Sequence, residues 1–183
     1  MILIGLTGRA GAGKSTVAQY LVEQHGFDEL TFAQPLKEGL AIMLRELGVS
    51  LEDFEDPARK LRDIPEVGVT PRHLITTLGT EWGRDMVSEG VWVRVLAKRL
   101  ANLWYSPAVV ISDVRFTNEA QWIRELGGQI WLVARPAASR AAPEHASEAG
   151  IDLSLVTCSI MNDDDVPAIH ARVDHLINIV VPQ

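Results

Sequence analysis

Gly8, Gly13, Lys14 and Ser15 stand in the spacing G-x-x-x-x-G-K-[ST] within the stretch LTGRAGAGKST. That spacing suits one chemistry, the holding of a polyphosphate. Small residues let the backbone wrap a phosphate with its N–H groups turned inward. Lysine at position 14 reaches the β- and γ-phosphates, and the Ser15 hydroxyl is a ligand for Mg²⁺. A helix starting at Lys14 adds the positive end of its dipole. The motif needs a strand before it and a helix after it. The apolar run Ile2 to Leu6 supplies the strand. Val17, Ala18, Leu21 and Val22 supply one apolar helical face, with Gly26 as its stop. This predicts a P-loop that binds a nucleoside triphosphate with Mg²⁺, and leaves open where the phosphate goes.

Other side chains could join that chemistry. Asp113 follows the apolar run Ala108 to Ser112, where a carboxylate can hold Mg²⁺ through water or orient a substrate. The other reading is a helix N-cap, and the P-loop already present favours the functional one. Arg115 could fork onto a phosphate, or pair with Glu119 in a surface salt bridge. Arg135 and Arg140 follow a strand, in RPAASRAAPEHASEAG (135–150), which has loop composition. An arginine swinging from there onto a transferring phosphoryl group would stabilise its charge and exclude water, although a loop arginine is more often simply solvated. Trp82, Trp92 and Trp104 are read as core residues, any of which could instead stack on a base. No Cys/His cluster has zinc spacing, so Mg²⁺ is the one metal implied. There is no N-K-x-D stretch for guanine recognition and no G-x-S-x-G element.

The elements that must position these residues alternate in type. Leu30 to Phe32 reads as a second strand, Val109 to Ile111 lies in a third, Ile130 to Ala134 is a fourth and Val156 to Ile160 a fifth. Helices are predicted from Pro35 through Leu47, from the Thr70-Pro71 start to Leu78, from Val91 to Leu103, over 118–126, and across Val166 to Leu176. Gly79-Thr80 reads as an interruption, and the charged, proline-broken stretch 50–70 as an irregular surface insertion. Apolar strands alternating with helices predict an α/β fold with a mostly parallel sheet of about five strands and helices on both faces. Ligands then bind at the carboxyl ends of the strands, where the P-loop and Asp113 both fall.

The chain has 183 residues, 47% hydrophobic and 22% charged, enough for one globular core. A net charge of −7 gives no overall basic footprint for polymeric nucleic acid. Cys158 is the single cysteine, so no internal disulfide forms. The N-terminal apolar run is too short for a signal peptide or a membrane span. The expectation is a cytoplasmic protein with no membrane partner.

Taken together, the motifs resemble those of phage-type deoxynucleoside monophosphate kinases, a branch of the P-loop nucleoside monophosphate kinases. The resemblance rests on LTGRAGAGKST, FAQPLKE (32–38), TPRHLITTLGTEWGRD (70–85) with Trp92 after it, ISDVRFTNEA (111–120) and HASE (145–148). It implies transfer of the γ-phosphoryl of ATP to the 5′-phosphate of a deoxynucleoside monophosphate. It implies a three-layer P-loop domain spanning 1–183, with an acceptor-binding insertion over about 33–90, a lid over about 135–150, and a homodimer. By matching position, Gly11, Ala12, Gly13, Lys14, Ser15 and Thr16 would bind ATP and Mg²⁺. Arg72 would grip the acceptor phosphate, and Trp92 would lie against its base. Asp113, Arg115 and Glu119 would line the acceptor site, and Arg135 and Arg140 would belong to the lid. Gln34 departs from the family, which often has Asp there, and this bears on a sugar or base contact rather than on the phosphate chemistry. Two other readings use the same P-loop. One is another small-molecule kinase, such as a dephospho-coenzyme A kinase. The other is a regulatory ATPase or switch with no acceptor.

Overall fold

The computed structural model describes residues 1–135 and 150–180. The chain divides into two compact units, one of Met1–Thr31 with Arg99–Gln183 and one of Phe32–Lys98.

The first unit is built on a five-stranded, wholly parallel sheet. Its strands are β1 (Ile2–Thr7), β2 (Asp28–Leu30), β3 (Ala108–Ile111), β4 (Gln129–Ala134) and β5 (Cys158–Met161), in the order β2-β3-β1-β4-β5. β1 and β3 read as unbroken apolar runs because strands covered on both faces have no solvent side to mark. One face carries α1 (Lys14–His25) and α7 (Val166–Val180), with Val17, Leu21, Ile169 and Val173 packed on Ile4, Leu6, Trp131 and Val133. On the other face lies α6 (Thr117–Glu125), with Ile123 beside Gly5. The two helices of the first face are also joined by polar groups. The Tyr20 hydroxyl donates to Asp174 at 3.0 Å, and its ring stacks on His170 at 3.8 Å.

β2 falls two residues earlier than its apolar pattern predicts. It is a short edge strand with one neighbour, so Asp28 and Glu29 can face solvent within it. The other four strands come within two residues of their predicted bounds.

The second unit contains α2 (Gln34–Met43), α3 (Leu51–Glu55), α4 (Pro71–Thr77) and the greater part of α5 (Val91–Asn102). Its core is Leu40, Val49 and Phe54, packed with Ile64, Leu74, Ile75 and Leu78. Thr70 caps α4 as predicted, its Oγ1 accepting from the His73 amide at 3.1 Å. Residues 50–70 are more ordered than their charge suggests. The Asp53 carboxylate accepts from the Ser50 amide at 2.8 Å, starting α3 and driving Phe54 into the core. Gly79-Thr80 does not interrupt its helix either. The chain continues as a π-helix over Leu78–Val87, closed by the Ser88 amide donating to the Gly83 carbonyl at 2.9 Å.

The tryptophans correct another expectation. Trp104 is 83% exposed beside Tyr105 and Trp82 is 46% exposed, whereas Trp131 is fully buried in β4. Size alone does not bury a ring that ends a helix, as Trp104 does after α5. Trp131→Ala should therefore cost about 3–5 kcal/mol of stability, and Trp104→Ala no more than about 0.5 kcal/mol. Urea unfolding of the two variants checks the contrast.

Candidate functional site

The turn after β1 takes its shape from glycines. Gly8 has φ 138°, and a Cβ there would run into the Val133 carbonyl oxygen of β4. Gly13 has φ 102°, and a Cβ there would strike the Asn162 side chain. Both positions thus need glycine twice over, for backbone conformation and for room. Gly11 is exposed and Ala12 buried between them, and the Ala12 amide donates to the Arg9 carbonyl at 3.2 Å. Helix α1 then begins at Lys14, so Ser15 stands exposed and Thr16 half-buried in its first turn.

Lys14 folds back over this turn. Its Nζ donates to the Gly8 carbonyl at 2.6 Å and to the Arg9 carbonyl at 3.0 Å. Burial first, and then the Arg115 guanidinium, lower its pKa to about 8, against an opposing pull from the Asp113 carboxylate. The structure therefore brings Lys14, Asp113 and Arg115 within electrostatic reach of one another.

The segment bearing Asp113 and Arg115 is tied directly to the strand that leads into the loop. After β3, the Val114 amide donates to the Leu6 carbonyl of β1 at 3.0 Å. Glu119 fixes the same segment from α6. Its Oε2 accepts from the Arg115 amide at 2.8 Å and from the Phe116 amide at 3.1 Å, and the residue is buried. The contact between Arg115 and Glu119 is thus a backbone cap, not the surface salt bridge that the spacing also allowed.

Arg135 is exposed at the end of β4. Arg140 and the HASE stretch fall outside the described residues. In the second unit, Arg72 is exposed in the first turn of α4. Trp92 is half-buried, with its indole N–H donating to the Gly79 carbonyl at 2.7 Å and its ring against Gly83. Trp82 lies 6.3 Å from it, centroid to centroid.

Sequence reasoning passed over Asn162. Its Nδ2 donates to the Ala12 carbonyl at 2.8 Å and its amide to the Ala134 carbonyl at 2.7 Å. The one legible signal is a polar residue directly after an apolar strand, at the end of the sheet where ligands bind.

The loop fits a polyphosphate. Its glycine conformations, the Lys14 ammonium and the start of α1 form an anion cradle. Ser15 and Asp113 offer the oxygen donors that Mg²⁺ takes. Among the described residues, no cluster of three or more His, Cys, Asp or Glu side chains could hold a metal by itself. Nor is any helix among them long and apolar enough to cross a membrane.

Comparison with known proteins bears on the acceptor. A family model described as deoxynucleotide monophosphate kinase matches residues 49–173. A protein of Acanthamoeba polyphaga mimivirus, provisionally assigned as a deoxynucleotide monophosphate kinase, is 36% identical over 150 residues, covering 74% of this chain and 75% of its own. The deoxynucleoside-5′-monophosphate kinase of Escherichia phage T5 is 25% identical over 228 aligned positions, 90% of each chain. Among solved structures, TT1252 from Thermus thermophilus superposes with a TM-score of 0.55 at 20% identity, over 98% of each chain, which shows the shared fold.

The perturbed amine is directly measurable. In a ¹³C-lysine NMR titration the Lys14 signal should have its midpoint near pH 8. Inorganic pyrophosphate should move that midpoint upward, because a bound anion favours the ammonium form.

Proposed function

Because the chain belongs to the deoxynucleotide monophosphate kinase family, we propose that it transfers the γ-phosphoryl group of ATP to the 5′-phosphate of a deoxynucleoside monophosphate. The observation that carries this reading is the juxtaposition of Lys14 with Asp113 and Arg115, held by the Val114–Leu6 bond beside a glycine-shaped anion cradle.

Residues Gly11 to Thr16 bind the triphosphate through backbone amides, and the Lys14 ammonium leaves its carbonyl partners for the β- and γ-phosphates. Ser15 and Asp113 would hold Mg²⁺, which would neutralise charge on the transferred group. The acceptor already carries a phosphate oxyanion, so no strong general base is needed. Catalysis is then positioning and charge stabilisation. Arg115 shares the charge that builds on the transferred group, and Glu119 positions Arg115 through its backbone. Arg72 grips the acceptor phosphate. The indole N–H of Trp92 is already committed to Gly79, so its contribution is a ring face against the acceptor base. Arg135 and Arg140 belong to a closing segment over about 135–150 that excludes water during transfer. Residues 33–90 form the acceptor-binding insertion. The exposed apolar side chains Ile42 and Met43 of α2 offer surface for a second copy, in keeping with a homodimer acting in the cytoplasm.

The test is an ADP-production assay with ATP·Mg²⁺ and each of the four deoxynucleoside monophosphates in turn, with products identified by chromatography. Diphosphate from one or more of them is expected. ATP binding with no product from any would move the acceptor elsewhere.

Two variants probe the assigned roles. Lys14→Ala should lower kcat by about 100- to 1,000-fold, the range for losing one preorganised charge contact. Trp92→Ala should mainly raise KM for the acceptor, leaving KM for ATP near the parent value. Steady-state kinetics with both substrates varied separates the two effects.

The pH dependence has a definite sign. Lys14 is protonated and holds phosphate below its pKa of about 8. As pH rises through that value the ammonium is lost, so ATP affinity should weaken above pH 8 and not below it. Calorimetric titrations from pH 7 to 9.5 read this out.

A further inference from the structure

The β5–α7 connection, MNDDDV (161–166), has no role in the reading above, yet its residues are held unusually firmly. The Arg172 guanidinium of α7 donates to the Met161 carbonyl, to Asp163 Oδ1 at 2.6 Å and to Asp164 Oδ2 at 2.9 Å. Between these anchors Asn162 turns inward and is 3% exposed. Its amide is fixed to the end of β4 and its carboxamide Nδ2 to the Ala12 carbonyl, inside the glycine-rich turn. It also occupies the space that a Gly13 side chain would need.

One more detail indicates what this side chain is for. Among the described residues, Asn162 Oδ1 is buried with no hydrogen-bond partner. An orphaned buried acceptor costs free energy. An apolar side chain of the same shape would avoid that cost. The carboxamide is therefore not the choice that stability alone favours, and what distinguishes it is the single bond it makes, to the loop.

We propose that Asn162 is a positioning residue for ATP: clamped by Arg172, it fixes the Ala12 carbonyl and with it the shape of the glycine-rich turn that receives the triphosphate. The inference rests on the phosphate-binding reading of that turn. It assigns to the end of β5 and to α7 a part in binding ATP that the loop motif does not contain. The physical basis is preorganisation. A turn already held in its binding shape does not lose further conformational freedom when the anion arrives.

The experiment compares ATP·Mg²⁺ affinity, measured calorimetrically without acceptor, in the parent, Asn162→Leu, Asn162→Asp and Arg172→Gln. Thermal melts give the folded state of each. Asn162→Leu keeps the shape and loses both the bond and the orphaned oxygen. Its melting temperature should stay near the parent's or rise, while its Kd for ATP rises about tenfold, the worth of one hydrogen bond. KM for the acceptor should not move. Asn162→Asp cannot donate to Ala12 while ionised. Its affinity relative to the parent should recover as pH falls and the protonated acid donates again. Arg172→Gln loosens the clamp from a distance, and Kd should rise about two- to threefold.

A folded Asn162→Leu that binds ATP like the parent overturns the proposal. So does a loss shared equally between ATP and acceptor, which marks a general structural role. Should Asn162→Leu fail to fold, Arg172→Gln and the pH recovery of Asn162→Asp decide in its place, and unchanged affinity in the first or no recovery in the second overturns the proposal. A parent protein that does not bind ATP sinks the phosphate-loop reading itself. A parent that binds ATP but phosphorylates none of the four acceptors sinks the kinase reading and leaves this test intact.

Discussion

One steric demand governs the first unit. The turn after β1 must bend sharply while it rests on the end of β4. Gly8 lies so close to the Val133 carbonyl that no side chain fits between them. β4 must therefore be the neighbour of β1, and the register that pairs Leu6 with Trp131 and Thr7 with Leu132 brings Val133 under the turn. The same sheet order puts β3 on the other flank of β1, so that Asp113 and Arg115 emerge beside the loop. It sets β5 outside β4, within reach of Ala12 through Asn162. Four strand ends converge because one turn has no room to stand anywhere else.

The electrostatics follow from that geometry. The chain is acidic overall, with a net charge of −7, yet the loop region gathers Lys14 and Arg115. Burial and mutual repulsion make the Lys14 ammonium uncomfortable, and only two carbonyls and Asp113 steady it. On the proposed reading, a polyphosphate at the loop would favour the ammonium form and so offset its burial. The Glu119 carboxylate is engaged by two backbone amides of the Asp113–Phe116 segment.

How much of this was legible in the sequence divides by the range of the forces involved. The P-loop, four of the five strands, the Gly26 stop and the Thr70 cap were readable, because local backbone preferences and short-range bonds determine them. Residues 50–70 hid a helix start, since Ser50 and Asp53 look like two more charged-loop residues until they are seen to bond each other. The π-helix over Leu78–Val87 hid because its repeat matches neither helix nor strand periodicity. Glu119 was legible as a partner of Arg115 but not as a partner of its backbone. Asn162 was not legible at all, because its partner lies 150 residues away and meets it only once β5 has found β4.

The two halves of the functional reading have separate foundations. The family match spans residues 49–173 and so leaves out Gly8 to Thr16. The family-model match therefore owes nothing to the glycine-rich loop, which many unrelated kinases share. The case for ATP rests in turn on the loop's own geometry and would stand without any relative. What joins them is the segment from Asp113 to Glu119, which lies inside the matched range and is bonded through Val114 to the strand that carries the loop. A regulatory ATPase would need the loop and have no use for the matched family sequence that adjoins it.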